Sequence, residues 1–379
     1  MSEESFFSRI LTMIGITSSH KPKYKKIINP YEQKTFIAVR FKGKEGYINE
    51  VGDWIIEPQF EQCEYFSDNG LAPVKQKQKW GFIDKYGKFV IKPQFDDAFE
   101  FNNNGLAHIV HGKKIGLIDS TGNLIAEPIY DDISYFASNG LAVVQINRKY
   151  GFIDTNGKIV IEPTFEGCSD FADNGLAAVQ INGKWGYMDA TGKIVIEPQF
   201  IYAFQFTKNG VAQVEMEDKN AIIDQDCNII AAHEFGIESE NGLFSINFAD
   251  KDEKVGCIDS TGKIVIEPKF DFIGRFNDEG FAAVVLDDKR GIIDDKGNIV
   301  LTPQFDFLDE DGDGYFICSN NNKYGIIDPF GKLIIEPKYK YTKIVNNTLF
   351  VQKGKKWGIV DSNGNFIAEP QWELVRSVG

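Results

Sequence analysis

Apolar positions along most of this chain fall into short runs of four to six residues, cut at regular intervals by Asn-Gly, Asp-x-x-Gly and Pro. One stretch shows the pattern. Leu176–Ile181 is a β-rich run, Asn182-Gly183 a two-residue break, and Lys184–Asp189 a second run. Asn-Gly between two apolar runs predicts a β-hairpin. Asp189-Ala190-Thr191-Gly192 predicts a type I turn, with the Asp accepting local backbone bonds and the Gly free to take positive φ. A third run, Lys193–Glu197, ends at Pro198, which has no N–H to give a ladder. The reading is three strands per unit. Runs such as Ile159-Val160-Ile161 are apolar on both faces, which predicts a third strand buried between layers.

The same unit recurs. Anchored on the glycine after Trp80, its equivalents are Gly46, Gly81, Gly116, Gly151, Gly186, Ala221, Gly256, Gly291, Gly325 and Gly358, spaced by 35 seven times, then by 34 and 33. The turn aspartate recurs as Asp84, Asp119, Asp154, Asp189, Asp224, Asp259, Asp294, Asp328 and Asp361, with Asn49 in the first unit. An aromatic follows the proline position in every unit, from Phe60 and Phe95 to Tyr339 and Trp372. Units of this size cannot bury a core alone and must stack on their neighbours. The mid-strand glycine implies a close approach by another backbone or ring, and the aromatics read as scaffold.

About thirty strands laid side by side at ~4.8 Å would reach about 140 Å, which strand twist forbids, so each unit must be its own small sheet. Propellers usually have about four to eight blades of four strands. The expected fold is therefore all-β, an open, twisting superhelical or solenoid array of about ten three-stranded units spanning residues 36–379. A closed propeller-like ring is the alternative. Residues 1–35 read as an N-terminal helix and linker. Phe6, Phe7, Ile10, Leu11 and Ile14 share one helical face behind Glu3 and Glu4, and Lys21, Lys23, Lys25 and Lys26 form a basic connector.

Composition narrows the partners. Lys+Arg 41 against Asp+Glu 55 gives a net charge of −14, which disfavours nucleic acid and anionic membrane surfaces. No apolar stretch approaches the roughly 18 residues a membrane span needs. Five scattered cysteines without a CxxC pair suggest neither a disulfide framework nor a zinc site.

Lys-Trp-Gly-Phe-Ile-Asp at 79–84, Lys-Trp-Gly-Tyr-Met-Asp at 184–189 and Lys-Trp-Gly-Ile-Val-Asp at 356–361 resemble the signature of the bacterial WG-repeat (KWG-repeat) family. The resemblance covers about nine-tenths of the chain. It implies a β-repeat protein used as an interaction module, in a family without catalytic residues, some of whose members sit beside secreted toxins. The sixth unit departs most, with Asn220-Ala221 for Trp-Gly, Cys227 for the turn glycine and His233 for the proline. Glu45, Ile115, Val255 and Arg290 also stand where the aromatic is expected.

Candidate chemistry is sparse. Asp309, Asp311 and Asp313, followed by Gly314, resemble half a calcium loop, but position 12 is Asn320, and an acidic turn is the preferred reading. His108 and His111 would point to opposite faces of a strand, and His20 and His233 are remote, so no metal centre is expected. No nucleophile–base set, P-loop or dinucleotide fingerprint appears, so no catalytic, cofactor or metal residues are assigned. Binding is expected on the surface that varies between units, as in Glu61–Asp68 or Ile201–Phe206, or on the lengthened hairpin Phe248–Lys254 of the seventh unit. The expected function is a non-enzymatic, cytoplasmic protein-binding module for a basic partner, specifically an inhibitor (immunity protein) of a cognate toxin. Sugar or peptidoglycan binding is the alternative. Oligomeric state is left open.

Overall fold

The computed structural model describes residues 35–376, apart from 218, 233–236, 239–241, 249–253, 278 and 312–313. The expected N-terminal helix and His20 lie outside the described residues. So do Asp313, His233 and the tip of the seventh hairpin.

The described residues form ten antiparallel sheets of four strands each. The second sheet is typical, in the order Gln62–Cys63, Ala72–Gln76, Lys79–Ile83 and Phe89–Phe95. Its last three strands are those the sequence predicts. The first is a two-residue strand inside the segment taken as variable. Gln62 pairs with Lys75 and Cys63 with Val74, so the chain leaves one sheet and enters the next with a single residue between. Three strands per unit becomes four, with an entry strand that ranges from two residues here to five at Asp97–Phe101 and Phe272–Phe276.

The open array is corrected to a closed ring. Leu374–Val375, at the end of the chain, pairs with Ile37–Phe41, at its beginning, as the missing first strand of the first sheet. The step from the tenth sheet to the first repeats every other step. Each turn glycine rests on the preceding sheet: a Cβ on Gly87 would come within 3.1 Å of Ile56, one on Gly297 within 2.9 Å of Ile266, and one on Gly52 within 2.9 Å of Trp372. The core is likewise distributed, one cluster per junction. Ile37, Val39 and Ile48 of the first sheet pack with Phe350, Ile359, Trp372 and Val375. Ala178 and Tyr187 of the fifth pack with Ala212 and Val214 of the sixth.

The third run of each unit is corrected from a buried strand to an edge strand. It stands last in every sheet, and its outward positions are open: Val90, Val160 and Val195 are 47–49% exposed. An apolar run there reflects β propensity more than burial. Of the aromatics that close this strand, Phe60, Phe200 and Trp372 are almost completely buried.

Turn chemistry follows the sequence closely. Asp84 Oδ1 accepts the amides of Tyr86 and Lys88, each at 2.9 Å, and Gly87 adopts φ 79°. Cys227 takes the same conformation at φ 66°, a strained position for a side chain. The mid-strand glycine has an equally direct cause. A Cβ on Gly186 would lie 2.4 Å from the Ile196 carbonyl oxygen and 2.7 Å from Pro198 N, because the edge strand bulges towards it between Tyr187–Ile196 and Trp185–Phe200. In the sixth sheet Ala221 pairs directly with Ala232, a pairing that Gly186 does not make with its own edge strand.

Candidate functional site

Side chains left over from this scaffold gather where sheets meet. Arg290 stands in the tryptophan position of the eighth sheet. Its guanidinium lies over the Phe307 ring at 5.5 Å and donates to the Leu308 carbonyl at 3.1 Å. Phe307 meets Tyr324 edge-on at 6.3 Å, Tyr324 lies 5.8 Å from Tyr341 with rings inclined by 32°, and Lys340 sits over Tyr341 at 5.3 Å. The run leads from the eighth sheet through Phe307 on the entry strand and Tyr324 in the tryptophan position of the ninth to Tyr341, one residue before the entry strand Thr342–Val345 of the tenth. Phe272, Phe307 and Tyr341 each leave more than a third of their surface open. A shorter cluster joins Trp185 to Tyr202 at 5.1 Å and Tyr202 to Phe204 at 4.9 Å.

Beside Arg290 lies a cavity of about 360 Å³ between the eighth and ninth sheets. Its origin is local. Gly274 on the entry strand faces Ala283 on the next, with a Cβ at 274 only 3.3 Å from the Ala283 carbonyl oxygen. In the third sheet the same two register positions hold Phe99 and His108, whose rings touch edge-on at 6.4 Å. Two small residues therefore open a space that bulkier pairs fill. The eighth sheet contributes Arg275 and Arg290, and the ninth contributes Asp309, Glu310 and Phe316. Arg275 also borders a second cavity, of about 420 Å³, with Asp173 and with Phe204 and Lys208, which follow the entry strands of the fifth and sixth sheets. A side chain can reach non-adjacent sheets only across the middle of a ring, which places the entry strands on its inner side.

The residues singled out from sequence fall as follows. Asp309 and Asp311 lie on a strand, Phe307–Asp311, rather than in the expected acidic turn; Asp311 accepts the Ile344 amide at 3.0 Å. Among the described residues no group of three or more His, Cys, Asp or Glu is placed to hold a metal ion. His108 is buried between Phe99 and Tyr135, and burial pushes its pKa down, whereas His111 is exposed. Cys168, Cys257 and Cys318 are free thiols pushed up to about 12 by burial, which keeps them protonated and unreactive. The variable stretch is partly scaffold: Phe101, Phe171 and Phe206 in it are buried against Phe82, Phe152 and Tyr187. Sequence reasoning noted Arg290 only as a missing aromatic, and it passed over Gly274, Ala283 and Tyr341.

A ring of ten β-sheets, closed by pairing of the two ends of the repeat array, defines a propeller-type repeat protein. The chain belongs to the WG-containing-repeat family, whose model matches at 46–80, 80–114, 115–150, 150–185, 185–219, 256–289, 291–324, 324–357 and 357–378. The unmatched interval, 220–255, begins at the Ala221 strand that lacks the glycine–proline contact. No curated protein matches the chain in sequence. Among solved structures, a eukaryotic initiation factor is similar with a TM-score of 0.53 at 13% identity, over 80% of this chain and 95% of that one. KlHsv2 carrying a Gly-Ser linker in place of loop 6CD is similar at a TM-score of 0.34 and 10% identity, over 66% and 93%. The first of these likenesses concerns the fold alone.

Proposed function

We propose that this protein is a non-catalytic binding module of the bacterial cytoplasm that holds another protein against its ring. The observation that carries the reading is the run Arg290–Phe307–Tyr324–Tyr341–Lys340, in which Phe307, Tyr341 and Lys340 are exposed and Arg290 and Tyr324 half-buried. Tyrosine and arginine are the residue types that dominate protein–protein hot spots, and adjoining exposed rings are costly to keep unless something covers them. The net charge of −14 favours a basic partner and speeds its encounter. The toxin-linked members of the resembling family make inhibition of a cognate toxin the specific form of this reading.

Capture from the protein's own cell tests it. Wild-type chain should retain one partner in a stoichiometric complex, and Tyr324→Ala with Tyr341→Ala should release it while leaving the fold intact by circular dichroism. Equal retention by wild type and the double variant would sink the assignment. A second reading, sugar binding, is favoured by the Trp185–Tyr202–Phe204 cluster, whose open faces could stack on a pyranose. Selective binding on a glycan array, abolished by Tyr202→Ala, would put it first.

A further inference from the structure

The cavity between the eighth and ninth sheets goes beyond that reading, because its charges are divided by wall. Arg275 and Arg290 come from the eighth sheet, Asp309 and Glu310 from the ninth, and between them lie Ala283, Val285, Phe272 and Phe316. Arg290 is committed to the Leu308 carbonyl and the Phe307 ring. Arg275 makes no hydrogen bond or ion pair among the described residues. The Asp309 carboxylate accepts the neighbouring Glu310 amide at 3.1 Å. Arg275 and Asp309 line one cavity yet form no salt bridge with each other. Opposite charges that share a small space without pairing leave a gap for a ligand carrying both signs.

We propose that this cavity binds a free α-amino acid as its zwitterion, with the carboxylate towards Arg275, the ammonium towards Asp309, and an apolar side chain against Val285 and Phe316. A plain carboxylate would face Asp309 with nothing to offer it, and a plain amine would face two guanidinium groups. A neutral dipolar ligand satisfies both walls. The space of about 360 Å³ lies within the range of small-molecule sites and suits a side chain of leucine or phenylalanine size. Gly274 and Ala283 are then specificity residues, since their small size sets the room available.

Calorimetric titration of the full chain with L-leucine and L-phenylalanine tests the site, with L-phenylalaninamide and 3-phenylpropionate as analogues that each lack one charge. Saturable one-to-one binding of at least one amino acid is expected. Each analogue should bind at least about tenfold more weakly than L-phenylalanine. Arg275→Ala, at an exposed position, should weaken amino-acid binding about tenfold without changing the unfolding midpoint. Ala283→Leu should abolish binding by filling the space. Absence of saturable binding by both amino acids, equal affinity for either analogue, or indifference to Arg275→Ala would each overturn the proposal. Partner capture depends on Tyr324 and Tyr341, so failure of one test leaves the other standing.

Discussion

Asp119 closes its turn with more bonds than a turn strictly needs. Its Oδ1 accepts the Thr121 and Asn123 amides at 2.9 Å each and the Thr121 hydroxyl at 2.7 Å, while Oδ2 accepts from Asn123 Nδ2. The Thr121 hydroxyl and the Asn123 and Thr121 amides stabilise the charged form, which lowers the carboxyl from an ordinary 3.8 to about 2. Asp189 and Asp259 are lowered in the same direction, first by the hydroxyls of Thr191 and Thr261. A folded-state pKa below the unfolded one means that stability is present above about 3.8 and is lost as pH falls through about 2. Wild-type urea midpoints should therefore fall between pH 4 and pH 2. Asp119→Asn should start lower at pH 7 and lose less over that interval, since it has no proton to take up there. Parallel curves for the two proteins would show that this carboxylate does not contribute through its charge. The group is solvent-exposed, so the effect per turn is small, and its importance lies in repetition.

At the scale of the strand, glycine and proline act as a pair across two neighbouring strands. Gly186→Ala would drive a methyl group into the Ile196 carbonyl and Pro198, and overpacking of this kind costs about 1–3 kcal/mol. Ala221→Gly removes a methyl group that fits, and should cost about 1 kcal/mol or less through backbone entropy. Chemical denaturation of both variants checks this; similar losses would show that the bulge is not what demands glycine. Much of this level was legible in the sequence. Asn182-Gly183 and Asp-x-x-Gly carry their turn conformations in their own chemistry, and Gly186 two residues after Lys184 announced a close approach. The entry strands were not legible. Gln62–Cys63 has no period of its own and is a strand only because Lys75 and Val74 pair with it. The cavity was hidden for a similar reason. Gly274 and Ala283 are nine residues apart and become neighbours only through strand pairing, and Arg290, in the aromatic's place, meets Phe307 and Leu308 only because the next sheet packs against it.

For the whole molecule, the repeat spacing is the same in an open coil and a closed ring, so the period could not choose between them. The choice lies in residues that occur once. Glu45 replaces the tryptophan of the first repeat and is fully buried. Its Oε1 accepts from Arg40 Nη2 at 2.6 Å and Arg376 Nη2 at 3.2 Å, and its Oε2 accepts from Arg376 Nε at 3.0 Å and the Cys63 amide at 2.7 Å. Arg376 also reaches Glu64 at 3.2 Å, and Lys343 donates to the Val375 carbonyl at 3.0 Å. One carboxylate thus joins the first strand of the array, the entry to its second sheet and the end of the chain. Among the described residues, the network marks the only junction made by residues more than three hundred positions apart, where loop-closure entropy is largest. Breaking a buried ion pair by removing one partner typically costs about 3–5 kcal/mol, and Arg40 remains here to offset part of that. Arg376→Ala should therefore lower stability by about 2–4 kcal/mol in urea unfolding of the full chain. Because the pair is shielded, the loss should persist in high salt, unlike that of the exposed Lys79–Asp96 pair. Arg376→Lys should recover only part of it, since an ammonium cannot span both oxygens of Glu45 and also reach Glu64. A midpoint for Arg376→Ala indistinguishable from wild type would mean that the sheet pairing of Leu374–Val375 closes the ring without help, and that Glu45 is merely accommodated at the seam.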